Sequence, residues 1–111
     1  MEIRTEGFKR CELVTVSGRL DSSTSPEFEQ VLLELINAKR PVIVNMRDVE
    51  ILHSSGLKAL LAALMRGRRI LPACEVVISE VTPEIQDKFN LVGLDRLFKF
   101  YDSDVEAIGR F

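Results

Sequence analysis

The sequence predicts one α/β domain, residues 1–111, built on a mixed and mostly parallel sheet with an N-terminal hairpin and about four helices. Three observations carry this. Val42-Ile43-Val44 is a β-branched run too brief for a buried helix and apolar on both sides, as a strand covered on both faces of a sheet must be. Helix-sized segments separate such runs, which implies right-handed crossovers between parallel strands. A length of 111 residues with 46% hydrophobic content suits a single core and leaves no second domain.

Taken in order, Ile3 to Phe8 and Leu13 to Ser17 are strand-forming stretches separated by Lys9-Arg10, a hairpin expected to cover one edge of the sheet. Asp21-Ser22-Ser23-Thr24-Ser25-Pro26 is a loop ending in helix-start signals. Ser25 before Pro26 fits an N-cap with Pro at the first helical position, and Thr24 to Glu27 also spells a capping box. Phe28, Val31, Leu32, Leu35 and Ile36 then share one face of a core helix.

Pro41 to Leu64 is the centre of the chain. After Val42-Ile43-Val44, the turn His53-Ser54-Ser55-Gly56 leads into a helix whose Leu57, Leu60, Leu61 and Leu64 form an apolar face. A strand passing through small polar residues into a helix leaves free N–H groups and the positive helix end facing outward, where an anion is favoured. Ala59, Ala62, Ala63 and Arg66 lie opposite the leucines in projection. Such a row fits either high helix propensity alone or a flat outer face that a partner backbone approaches closely.

Arg66-Gly67-Arg68-Arg69 reads as a solvated helix end, its cations at the negative end of the dipole. Pro72 stops this helix, and Glu75-Val76-Val77-Ile78 resumes a buried strand. Thr82-Pro83 starts a third helix with Ile85, Phe89 and Val92 toward the core, and Gly93-Leu94 reads as a left-handed C-cap. Leu97 to Tyr101 is a last strand. Ser103 and Glu106 then box a final helix carrying Val105 and Ile108.

Composition narrows the function. With 15 Lys and Arg against 17 Asp and Glu, the chain has no electrostatic footprint for nucleic acid. Charges break every apolar run and MEIRTEGFKR lacks a signal region, so no membrane attachment and a cytoplasmic location are expected. Cys11 and Cys74 are expected to be reduced, partly buried thiols, and one His without a Cys pair at ligand spacing predicts no metal. No phosphate-binding glycine motif follows a strand, so no cofactor is expected. A catalytic serine is not expected either. Leu52 replaces the first glycine of a G-x-S-x-G elbow around Ser54, and His53, its sequence neighbour, is badly placed to act as its base.

Three blocks, GRLDSSTSPEFEQ, PVIVNMRDVEILHSSGLKALL and EVVISEVTPEIQDKFNLVGLDRLFKFY, resemble the STAS domain, specifically the bacterial anti-sigma factor antagonists. They stand in the family's order and cover nearly the whole chain. The central block is the most specific; Gly18, Leu20, Asp21 and Thr24 support it. The resemblance implies a single STAS-type domain that binds an anti-sigma factor which is itself a serine kinase, so releasing the sigma factor. It implies that the kinase phosphorylates Ser54, the first serine of the family's Asp-Ser-Ser-Gly motif, and that a PP2C-like phosphatase resets it.

By the same resemblance Asp21 matches an acidic loop residue near the surface that carries Ser54. Both segments follow strand carboxyl ends and can converge at one edge, so the partner surface is expected to comprise Asp21, Ser22 and Thr24 of the first loop, His53, Ser54, Ser55 and Gly56 of the turn, and Lys58, Ala59 and Ala62 of the second helix. One position departs from the pattern: His53 stands where the family has aspartate, removing a carboxylate that could orient the hydroxyl or contact the kinase. Two other functions remain open at this point. One is a STAS adaptor regulating another complex, such as the ATPase of a lipid ABC transporter or a signalling scaffold; the other is a small serine hydrolase.

Overall fold

The opening hairpin pairs β1 (Glu2–Gly7) with β2 (Glu12–Leu20) antiparallel, and β1 forms a sheet edge as expected. The computed structural model describes residues 1–111. From β2 onward the chain alternates: α1 (Ser25–Asn37), β3 (Val42–Leu52), α2 (Ser54–Arg69), β4 (Val76–Ser79), α3 (Pro83–Leu91), β5 (Phe100–Tyr101) and α4 (Asp104–Gly109). The sheet order is β1-β2-β3-β4-β5, with every pair after the first parallel.

Strand alternation divides the core into two layers. Val14, Val16, Val42, Val44, Val76 and Ile78 pack with buried residues of α1, α2 and α3, whereas Leu13, Ile43 and Val77 pack with Ala107 of α4. The central strand is far longer than its apolar run. Beyond Asn45 only β2 accompanies β3, so Arg47, Asp48 and Glu50 project into solvent while Met46, Val49 and Leu52 stay buried. Register irregularities between Thr15 and Ser17 and between Gly18 and Arg19 keep the pair together to Leu20 and Leu52. Both strands therefore end side by side.

Neither expected cap of α1 forms. Thr24 occupies the N-cap position, but its hydroxyl donates to Arg19 O at 2.7 Å and accepts from Asp21 N at 3.0 Å. Thr82 and Ser103 do cap, accepting from Ile85 N and Glu106 N.

Ala59 and Ala63 overturn the expectation of a smooth outer face on α2, because both are fully buried. Ser25 reaches Ser55 at one end of the helix pair, and Arg66 Nε reaches Asn37 Oδ1 at 3.0 Å at the other. Helical spacing puts Ser55, Ala59, Ala62 and Arg66 on one stripe, so the alanine row is the seam against α1. Small residues there let two helices approach closely, which accounts for them without any partner. Gly67 serves the same closeness elsewhere: a Cβ would lie 2.1 Å from Cys74 O.

Three further expectations change. Val92 is 58% exposed rather than in the core, because α3 ends at Leu91 and Gly93, at φ 77°, turns the chain into a 3₁₀ turn over Leu94–Arg96. Leu97 is outside the last strand, while Phe98 packs edge-to-face on Phe89 at 5.8 Å. Val105 is exposed; Ala107 and half-buried Ile108 hold α4 to the sheet.

Candidate partner-docking site

Because β2 and β3 run parallel and end in register, the segments that follow them leave the sheet together. His53 N donates to Leu20 O at 2.8 Å, tying the start of α2 to the end of β2. Ser25 Oγ then donates to Ser55 Oγ at 3.1 Å, tying α1 to α2. The first loop and the turn, found separately along the chain, make one surface at the carboxyl ends of the strands, the usual place for recognition in open α/β sheets.

Asp21 organises its loop. Its Oδ1 accepts from Ser23 Oγ at 2.7 Å, Ser23 N at 3.0 Å and Thr24 N at 3.3 Å, and Oδ2 lies 3.6 Å from Arg19 Nε. The Ser23 hydroxyl, then the Ser23 and Thr24 amides, hold the carboxyl down at about 2 by favouring its charged form. Ser22 is exposed and free to meet a partner; Thr24 is half-buried with its hydroxyl already engaged.

At the turn, His53 and Ser54 are exposed, Ser55 is half-buried and Gly56 is buried. Gly56 has a steric reason: a Cβ would come within 2.7 Å of Leu52 Cδ1 and 3.0 Å of Leu20 Cβ. His53 is the N-cap residue of α2 but supplies no side-chain cap, and no acidic residue occupies the first turn. The positive end of a 16-residue helix therefore opens beside the Ser54 hydroxyl. No hydrogen bond joins His53 to Ser54, so the pair lacks the geometry of a base and its nucleophile.

Along α2, Lys58 is exposed and stays on the surface, Ala59 is removed from it by burial, and Ala62 is half-buried on the α1 side. Ser54, Lys58 and Met65 project, and half-buried Leu61 lies among them, on one helical stripe about a quarter-turn from the alanines.

A family model for the STAS domain matches residues 2–107. The chain belongs to the STAS domain family. Its relatives include the anti-sigma F factor antagonist of Paenibacillus polymyxa, 25% identical over 113 residues that take in 97% of this chain and 92% of that protein. The solved anti-sigma factor antagonist from Mycobacterium paratuberculosis has a TM-score of 0.85 at 25% identity, covering 98% of this chain and 92% of that one. The anti-sigma factor antagonist SpoIIAA in its unphosphorylated form, at 19% identity, shares the fold with a TM-score of 0.84 over 98% and 95% of the two chains.

This STAS domain also carries surface residues beside Ser54 that the sequence pattern did not place there. Leu91 and Val92 are exposed next to Ser54 and Leu57, with Lys88 alongside. A signal was present: Leu91-Val92 directly precedes a glycine C-cap, and Leu91 falls off the Ile85 and Phe89 stripe.

Proposed function

We propose that this STAS domain is an anti-sigma factor antagonist. It binds a kinase-type anti-sigma factor in the cytoplasm through the Asp21–Ser25 loop, the His53–Gly56 turn and the projecting stripe of α2. The kinase phosphorylates Ser54 and a PP2C-like phosphatase removes the phosphate. One observation carries the reading: an exposed serine hydroxyl stands at an uncapped, positive helix start, on a surface where two loops are tied together by hydrogen bonds. The names of the Paenibacillus and Mycobacterium relatives support the partner class.

The physical mechanism follows from charge and hydration. A phosphate on Ser54 is welcome to the helix dipole, so the fold persists and the change falls on the interface. There it sets about −1.5 to −2 charges and a strongly hydrated group where close contact is needed, which ends binding. His53, an imidazole in place of a carboxylate, adds no negative charge beside it.

Co-purification from native lysate, followed by identification of the bound protein and addition of ATP, tests the proposal. A serine-kinase anti-sigma factor should be retained without ATP and released with it, and a PP2C-like phosphatase should restore binding. Retention of a transporter ATPase or a scaffold protein instead, insensitive to ATP, would establish the adaptor function.

A further inference from the structure

Beside Ser54, α2 and the end of α3 leave an apolar groove that the chain does not fill. Its volume is about 200 Å³ and its walls are Ser54, Leu57, Lys58, Leu61, Val92 and Leu94. A neighbouring hollow shares Ser54, Leu57 and Val92 and adds Leu52, His53, Lys88 and Leu91, the last 83% exposed. Exposed leucine and valine at the mouth of a groove cost solvation unless something covers them.

Charge says what the cover must carry. Neither hollow is lined by a carboxylate, and their lysines, Lys58 and Lys88, are absent from all four ion pairs of the molecule. The walls are apolar and the rim is purely cationic, so the complementary occupant is apolar at its centre and anionic at its edge. Ser54 and Lys58 stand four residues apart on the projecting stripe of α2, close enough for their side chains to meet.

We propose that the groove receives an apolar side chain from a carboxylate-bearing segment of the partner, and that Lys58 pairs with that carboxylate or, alternatively, with a phosphate on Ser54. The proposal rests on the partner-switch reading above and deepens it. With Ser54 free, Lys58 attracts the partner's acidic group while Leu57, Leu61, Val92 and Leu94 hold its apolar one. Once Ser54 carries phosphate, the three phosphate oxygens reach Lys58 within the same molecule, with no loss of translational freedom. The partner's carboxylate then meets a dianion instead of a free ammonium. Attraction is withdrawn and repulsion replaces it in one modification.

Two measurements decide this. The co-purified anti-sigma factor is titrated with the wild-type chain and with Lys58→Met, Leu91→Glu and Lys9→Met, the last in the hairpin turn at the opposite end of β2. Lys58→Met should weaken binding about 5- to 20-fold and flatten its salt dependence, and Leu91→Glu should weaken it at least about tenfold. Lys9→Met should leave it unchanged. Separately, phosphoserine is installed at position 54 and followed by ³¹P NMR: its second ionisation should fall at lower pH in the wild type than in Lys58→Met.

Unchanged affinity in Lys58→Met at every salt concentration, or identical phosphate titrations in the two proteins, would overturn the proposal. So would a concentration-dependent dimer dissolved by Leu91→Glu, since a second copy of the chain would then own the groove. Failure of the wild type to bind any anti-sigma factor would remove the partner-switch reading and the groove's occupant with it. The phosphate titration would still show whether Lys58 holds the phosphate.

Discussion

Ser25 donates its hydroxyl hydrogen to Ser55 across 3.1 Å, and this bond separates the two serines of the turn. Ser25 is buried and Ser55 half-buried, whereas Ser54 is exposed with its hydroxyl unengaged. A kinase can reach Ser54 without breaking anything; to reach Ser55, which is half-buried, it must first break the bond from Ser25. Incubation with the cognate kinase and ATP should therefore place phosphate on Ser54, as located by mass spectrometry. Ser54→Ala should take up none, and Ser55→Ala should still be modified. Phosphate on Ser55 would reverse the assignment.

Asp21 should tie loop structure to acidity. Its carboxyl titrates at about 2 in the folded chain, held by hydrogen bonds from Ser23 first, against an ordinary value of 3.8. A folded value below the unfolded one means that the ionised form contributes stability above about pH 4, and that this is lost as pH falls toward 2. NMR titration should find the Asp21 midpoint near 2. Asp21→Asn, which keeps an acceptor oxygen but no charge, should lose that part of the acid dependence and weaken partner binding.

The two sides of α2 should respond in opposite ways. Ala59 is fully buried in the α1 seam, so Ala59→Leu should overpack it and cost about 1–3 kcal/mol in a urea melt. Met65 projects at 37% exposure, and Met65→Ala should change stability by no more than about 0.5 kcal/mol while weakening partner binding.

Element order was legible because strands and helices announce themselves by different apolar periods, and Val42-Ile43-Val44 and Phe28-Leu32-Ile36 did so plainly. The convergence of Asp21 with His53–Gly56 was legible because both segments follow strand carboxyl ends. What misled were residues whose spacing suits two environments. A row of alanines serves equally as an exposed face or a tight helix seam, and the burial of Ala59 and Ala63 with the Ser25–Ser55 and Arg66–Asn37 bonds shows which. The length of β3 was hidden because a strand with a single neighbour tolerates Arg47, Asp48 and Glu50. Val92 sat at helical spacing but past the last turn, just before Gly93 redirects the chain.

The thiols should be inert in the native protein. Cys11 and Cys74 are buried, and burial raises both above their ordinary value despite the opposing charges of Arg40 and Lys39. Little thiolate is then present near neutral pH, and access is closed as well. A colourimetric thiol reagent at pH 8 should label both within minutes in denaturant and neither at a comparable rate in buffer.

Cys11 further reports on how α4 is held. Asn45 Nδ2 donates to Asp104 Oδ1 and Oδ2 at 2.9 and 3.0 Å, and Ser79 Oγ donates to Oδ1 at 2.6 Å. Asn45 and Ser79 are both buried strand residues, so one carboxylate at the start of α4 satisfies polar groups from β3 and β4 together. Asp104→Ala leaves them without that acceptor, at a cost of about 1–3 kcal/mol. The loss should fall first on α4, whose Ala107 packs in the small layer with Cys11, Leu13, Ile43 and Val77. Hydrogen exchange should quicken across α4, and Cys11 should become reactive while Cys74, packed in the other layer, stays protected. Asp104→Asn, which retains one acceptor oxygen, should lie between the two. Equal exposure of both thiols in Asp104→Ala would mean instead that α4 unfolds only with the whole domain.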